Sequence, residues 1–182
     1  MFEISLHVLD ILQNSIKAGA SLITVRLTLK GNMLTVVIED NGCGMSEEFV
    51  ARVCDPFVTT RTTRRVGMGI SLFKAGAETS GGSFDIKSVQ GQGTVVTAVF
   101  DVSCIDCPPL GDITGTMVSQ FVCHPETDFA YIFTTEKGTM EFDTRTVKQV
   151  LGGVGLDTPE VMQWMMQSIK EELAEIEADK LA

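Results

Sequence analysis

The sequence predicts an α+β protein, with an α/β unit followed by a second, acidic α/β segment at the C-terminus. Three observations carry this. Apolar residues recur at helical spacing over residues 3–18 and again beyond residue 158. Between them, stretches of strand-like alternation come in pairs joined by turns. The charge is divided: residues 1–100 hold nine acidic and nine basic side chains, residues 101–182 hold fifteen and five, and the second part carries the whole net charge of −10. The length of 182 residues suits one domain or one domain with an appendage, and 44% hydrophobic with 21% charged residues is an ordinary globular composition.

The elements follow in order. Ile4, Val8, Leu12 and Ile16 form one apolar stripe, so residues 3–18 read as a helix stopped by Gly19. Residues 22–29 alternate around Ile23, Val25, Leu27 and Leu29 as a half-buried strand does. Gly31-Asn32 turns the chain into a second strand, 34–39, which makes a hairpin. Ser46 can cap a short helix with Glu47 and Glu48 in its first turn. Residues 54–67 lack a period and hold Pro56, four threonines and three arginines, which reads as a mobile loop. A helix over 69–80 ends at Gly81-Gly82, and strands 83–89 and 94–101 are joined at Gly91-Gln92-Gly93. Pro108-Pro109 marks a boundary. Beyond it come a helix over 112–123, a hairpin of 129–135 and 138–143, and a short helix over 144–151. A last helix opens at Pro159, a favoured first position, and runs to about residue 179. The domain division is therefore 1–103 and 104–182.

Some function classes are excluded at this level. No stretch approaches the roughly eighteen apolar residues of a membrane span. Glu3, His7 and Asp10 interrupt the first apolar stretch, unlike a signal peptide. Five cysteines, an odd number, point to free thiols and a cytoplasmic location. An acidic C-terminal part would repel phosphate, so nucleic acid is not an expected partner. That part reads as a solvated acidic surface, with a docking face for a basic partner as the alternative.

Three stretches carry chemistry. His7, Asp10, Asn14 and Lys17 line one polar face of the first helix. A carboxylate, an amide and an ammonium in this order can hold a water, a hard cation and a phosphate, and Mg²⁺ needs few protein oxygens when phosphates supply the rest. A plain solvent-exposed polar face is the alternative. Next, a strand ends in Glu39-Asp40-Asn41-Gly42-Cys43-Gly44-Met45. Glycines let a flat ligand approach the backbone, and an Asp accepts from an exocyclic amine; an Asn-Gly turn would look similar. Last, Asp55-Pro56-Phe57 and Thr59-Thr60-Arg61 precede Gly67-Met68-Gly69 at the opening of a helix. Glycines at a helix N-terminus with hydroxyls and arginines nearby make a phosphate cradle. This is neither a dinucleotide fingerprint nor a Walker loop.

In this order the motifs resemble the superfamily of gyrase, heat-shock chaperone, histidine-kinase and mismatch-repair ATPases (GHKL), over roughly residues 3–101. The matching stretches are Asp10-Ile11-Leu12-Gln13-Asn14-Ser15-Ile16-Lys17-Ala18, Asp40-Asn41-Gly42-Cys43-Gly44, Pro56-Phe57, Gly67-Met68-Gly69-Ile70 and Gly91-Gln92-Gly93-Thr94. The resemblance implies the Bergerat ATP-binding fold, a two-layer α/β sandwich, over residues 1–103. It implies ATP and Mg²⁺ as ligands. Asn14 corresponds to the Mg²⁺-binding Asn, Lys17 to a phosphate-contacting Lys, and Asp40 to the Asp that reads the adenine amine. Gly42 and Gly44 correspond to the glycines that admit the ring, and Thr94 to the hydroxyl beside Asp40. Thr59, Thr60, Arg61, Gly67, Met68 and Gly69 fall on the ATP lid and its hinge. Asp10 stands where hydrolysing and phosphotransferring members usually carry Glu. Asp is shorter by one methylene, about 1.5 Å. A displacement near 1 Å can lower a rate about a hundredfold, and binding should tolerate it better than turnover does.

Two readings compete within that superfamily. The short lid after Asp55-Pro56-Phe57 resembles sensor-kinase catalytic domains, whereas Asn14-Ser15-Ile16 resembles the mismatch-repair class. With the asparagine helix at the start of the chain, a phosphoacceptor is expected on a partner protein, as in anti-sigma-factor kinases. As a switch, an ATP-ordered lid would bind the partner instead. A module that holds ATP without turning it over is the third reading. His7 has no role in the resemblance. In residues 104–182, Trp164 is expected in the core. Cys104, Cys107 and Cys123 are expected as small thiols, with a metal site the lesser alternative.

Overall fold

The computed structural model describes residues 3–53 and 68–178. Among these residues six helices and six strands form an α+β sandwich of two layers. In chain order they are α1 (Ile4–Lys17), β1 (Leu22–Lys30), β2 (Met33–Asp40), α2 (Glu47–Val53), α3 (Met68–Thr79), β3 (Ser83–Val89), β4 (Gly93–Asp101), α4 (Ile113–Cys123), β5 (Asp128–Thr134), β6 (Thr139–Asp143), α5 (Thr144–Leu151) and α6 (Pro159–Glu175). The strand order is β3-β4-β2-β1-β5-β6. All neighbours are antiparallel except β1 and β5, which run parallel from Leu22↔Asp128 to Thr28↔Thr134.

Alternation fixes which face is covered. Ile23, Val25 and Leu27 of β1 are buried, and so are Leu34, Val36 and Ile38 of β2 and Phe129, Tyr131 and Phe133 of β5. The outward residues include Arg26 and Glu39, which pair across β1 and β2 at 2.9 Å. Helix α1 lays its Ile4, Val8 and Leu12 stripe into the core, and α3 adds Phe73 and Ala77. The ring of Phe73 sits 5.4 Å from that of Phe100 on β4. The C-terminal segment extends the same sheet through β5 and β6. It buries Phe121 stacked on Phe142 at 5.6 Å, with Met165 and Ile169 of α6 in the same core.

Two expectations need correction. Helix α6 ends at Glu175, not near residue 179: Glu177 adopts φ 57°, and the Thr135 hydroxyl donates to the Ile176 carbonyl at 2.6 Å, which satisfies an end-of-helix acceptor. Trp164 is half exposed at 50%. Val161, Met165 and Ile169 take the inward stripe, and the indole lies on its border, 6.3 Å from the Phe142 ring.

Candidate functional site

A cavity of about 260 Å³ opens between α1, the end of β2, the loop before α2, the start of α3, and β4. Asn14, Lys17, Asp40, Gly44 and Thr94 line it together with Ser15, Met45 and Phe49. Ile11, Ile70 and Val96 supply apolar wall. Sequence-distant candidates are thus gathered on one void. The cause is local. Helix α1 presents Asn14, Ser15 and Lys17 from its last turn, and β2 carries Asp40 to its very end opposite Thr94 of β4.

Asp40 is held rather than loose. The Ser15 hydroxyl donates to its Oδ2 at 2.7 Å and the Gly42 N–H donates to its Oδ1 at 2.9 Å. The Met45 N–H donates to Ser88 Oγ at 2.8 Å, and Ser88 donates its own proton to the Gly93 carbonyl at 2.9 Å. With that proton engaged, the Thr94 hydroxyl 2.8 Å away donates to Ser88 and keeps its acceptor capacity. Asn41 faces away from the cavity: its Oδ1 accepts from the Ser21 and Leu22 N–H groups, and its Nδ2 donates to Ser21 Oγ. Sequence reasoning singled out neither Ser15, Ser88 nor the clamp made by Asn41.

The glycines have distinct tasks. A Cβ on Gly42 would lie 2.9 Å from Ala18 Cβ, so this residue lets the loop close on the end of α1, where the Cys43 N–H also donates to the Ala18 carbonyl. Gly44 has φ +62°, and a Cβ there would fall 2.1 Å from the Val89 carbonyl oxygen. Gly44 lines the cavity and Gly42 backs it.

Asp10 is exposed one turn before Asn14. It packs on the start of α3: a Cβ on Gly69 would lie 2.6 Å from Asp10 Cβ and 2.8 Å from its Oδ2. Gly69 therefore lets α3 begin beside the carboxylate, and the Met68 backbone opens that helix. Thr59, Thr60, Arg61 and Gly67 lie outside the described residues. His7, on the same face of α1, is buried at 4% exposure with its ring 5.9 Å from Phe73. Burial pushes its pKa below the ordinary value, against a smaller upward pull from Asp10. The polar face thus runs from the core at His7 to the cavity at Asn14 and the rim at Lys17.

Comparison with known proteins gives the family and the fold. Residues 3–103 match the family described as histidine kinase-, DNA gyrase B- and HSP90-like ATPase. A sensor-like histidine kinase of Rhizobium meliloti, itself uncharacterised, is 36% identical over 115 residues, covering 55% of this chain and 22% of that protein. The C4-dicarboxylate transport sensor protein of Rhodobacter capsulatus is 34% identical over 80 residues, 44% of this chain and 12% of that one. The chain thus spans less than a quarter of the length of these relatives. The N-terminal domain of a DNA repair protein superposes with a TM-score of 0.55 at 14% identity, over 79% of this chain and 52% of the other, which is a likeness of fold. The chain belongs to the histidine kinase-, DNA gyrase B- and HSP90-like ATPase family. Its matched part is an ATP-binding domain of the histidine-kinase-like kind. Among the described residues no helix is long and apolar enough to cross a membrane.

Proposed function

We propose that the chain binds Mg·ATP in this cavity and acts as a regulatory kinase whose phosphoacceptor lies on a partner protein. The observation that carries the reading is the convergence of Asn14 and Lys17 from α1 with Asp40 and Thr94 from β2 and β4 on one cavity. Asp40 and Thr94 suit the adenine end, because a carboxylate held by Ser15 and Gly42 is a preorganised acceptor for an exocyclic amine. Lys17 suits a phosphate. Gly42 supports Asp40 from behind, and Gly44 leaves its side of the cavity open to the ring.

The residues present fit Mg²⁺ of a limited kind. Among the described residues no three His, Cys, Asp or Glu side chains form a metal cluster. The ion would be held by the Asn14 amide oxygen with phosphate oxygens and water, as Mg²⁺ prefers. When bound, it neutralises charge on the phosphates. On this reading Asp10, beside the opening of α3, would be the carboxylate that orients an attacking group. The two histidines of the chain are not acceptors at the cavity: His7 is buried, and His124 caps α4 beside Glu126. The domain division at residue 103, with an appendage over 104–182, belongs to the same proposal.

The short Asp10 side chain favours one further reading, a switch or binding module with slow or absent turnover. Phosphate release by the Asp10→Glu and Asp10→Ala variants separates the two. Under the kinase reading intrinsic hydrolysis is far below typical turnover of about 1–10³ per second, and Asp10→Glu raises it. Unchanged release in Asp10→Glu, with nucleotide affinity intact in Asp10→Ala, would replace the kinase reading by the binding module.

A further inference from the structure

We infer that Cys104 and Cys107 form a dithiol site that exchanges with a low-molecular-weight disulfide, and that the state of this pair is felt in the nucleotide cavity. The second half rests on the nucleotide reading above; the first does not.

The pair lies in the connection from β4 to α4. After β4 the Cys104 N–H donates to the Asp101 carbonyl at 3.1 Å, and the Cys107 N–H donates to the Cys104 carbonyl at 3.0 Å. That bond closes a four-residue turn, which brings its first and last Cα atoms within about 7 Å. A disulfide spans Cα separations of about 4.4–6.8 Å. Cys104 Sγ lies 4.0 Å from the Thr79 carbonyl, and Cys107 Sγ lies 3.4 Å from the Pro108 carbonyl with a further hydrogen bond to the Ser80 side chain, which offsets part of the rise that burial gives its thiol pKa. Cys123 is exposed at the end of α4, and among the described residues no three His, Cys, Asp or Glu side chains are grouped to hold a metal. Ile105 between the two cysteines is 97% exposed, which puts the turn within reach of a reagent.

The two sulfurs differ. Cys107 packs against the core, and burial pushes its thiol pKa up, with Cys104 and Asp101 adding to the rise. Cys107 therefore waits as a thiol, and Cys104 makes the first attack. The Cys104 thiolate bonds to one sulfur of R–S–S–R, that S–S bond breaks, and R–S⁻ leaves and takes a proton. The Cys107 sulfur, having released its proton, attacks the Cys104 sulfur of the mixed disulfide and expels the second R–S⁻. The pair loses two electrons and two protons. The disulfide gains both as two R–SH.

The turn is tied to both helices that border the cavity. The carbonyls of Pro109 and Leu110 accept from the Ile4 and Ser5 N–H groups at 2.9 Å each, in the first turn of α1. Pro108 packs on α3, where a Cβ on Gly76 would lie 3.3 Å from its Cγ. Helix α1 carries Asn14 and Lys17, and α3 opens beside Asp10. The Cys104 sulfur itself lies 4.0 Å from the Thr79 carbonyl at the end of α3, so the state of the pair bears on a contact that spans from turn to helix.

The test uses the full chain equilibrated across ratios of reduced to oxidised glutathione. Thiols are counted with a mass-tagged maleimide, and the linked peptide is identified by mass. Cys104 and Cys107 should lose reactivity together while the other cysteines do not. Cys107→Ser should trap glutathione on Cys104. Independent labelling of the two cysteines throughout the range, or glutathione attached without ring closure in the wild type, overturns the dithiol site. The wild-type peptide measurements need no variant to fold. Affinity for a fluorescent ATP analogue should shift at least about fivefold on oxidation, the low end of ordinary coupling between sites, and should not shift in the Cys104→Ser/Cys107→Ser variant. A disulfide that forms with affinity unmoved overturns the coupling. Failure of the reduced wild type to bind the analogue instead overturns the nucleotide reading, while the thiol count still decides the dithiol.

Discussion

Replacing Asp40 by Asn is the most direct probe of the cavity, because the structure says what the substitution leaves intact. Asp40 accepts two hydrogen bonds, from the Ser15 hydroxyl at 2.7 Å and from the Gly42 N–H at 2.9 Å. An Asn amide keeps its oxygen on Gly42, since two N–H groups cannot face each other. Its NH₂ then takes the place of Oδ2, and the Ser15 hydroxyl turns to accept from it. Folding should survive, with the melting temperature close to that of the wild type. The change falls on the ligand: an exocyclic amine that met a carboxylate now meets another donor. Losing a hydrogen bond to a charged group costs about 1.5–3 kcal/mol, which is roughly ten- to a hundredfold in affinity. Titration calorimetry with ATP and GTP measures both the loss and the fall in adenine selectivity. Asp40→Asn protein that stays folded and binds ATP as tightly as the wild type would refute the assignment of Asp40 to the base.

Asn14→Ala should weaken Mg·ATP binding more than metal-free ADP binding, measured by calorimetry with and without Mg²⁺; equal losses would reduce Asn14 to a helix residue. Gly44→Ala must place a side chain at φ +62°, 2.1 Å from the Val89 carbonyl oxygen. It should destabilise the fold by about 1–3 kcal/mol in denaturant unfolding, and a wild-type midpoint would mean the loop yields freely. His7 is buried and its pKa is depressed, so the unfolded chain binds the proton first as pH falls. Stability is therefore full above the ordinary histidine pKa of about 6.5 and declines below it, by at most about 1.4 kcal/mol at pH 5.5. Urea unfolding of the wild type and His7→Gln at several pH values checks this; equal acid sensitivity in both would assign the effect elsewhere.

The strands and most helices are legible because one face of the sheet is covered and the other is not. Val25 and Leu27 alternate with the exposed Arg26 and Thr28 for that reason, and Ile4, Val8 and Leu12 repeat because α1 meets the sheet along one stripe. What the pattern does not contain is partnership. β1 and β5 lie about a hundred residues apart in sequence, and nothing in either strand announces that they pair in parallel. The end of α6 was hidden for the same reason. Its acidic residues continue past Glu175, and the stop comes from Thr135, on a different element, bonding to the Ile176 carbonyl. Trp164 fits the apolar side of a helical wheel, yet the groove is filled by Val161, Met165 and Ile169.

The candidate site divides along the same line. Asp40, Gly44, Asn14 and Lys17 stand out because each is an unusual residue for its place: a carboxylate ending a strand, a glycine needing a left-handed backbone, two polar groups at helical spacing. Ser15 and Ser88 do not stand out, since a serine in a helix or strand is ordinary filler until its neighbour is known. Ser15 acquires its task only because β2 ends against α1, which sets its hydroxyl 2.7 Å from a carboxylate 25 residues away. Ser88 acquires its task because β3 pairs with β4, opposite Thr94. The cavity's acceptors are therefore aimed by hydroxyls that belong to other elements. A carboxylate fixed from two sides loses little rotational freedom when a ligand arrives, so part of the affinity lies in Ser15 and Gly42. Ser15→Ala should thus weaken nucleotide binding although its hydroxyl is already engaged with Asp40, by less than Asp40→Asn does, because the Gly42 N–H still holds one carboxylate oxygen.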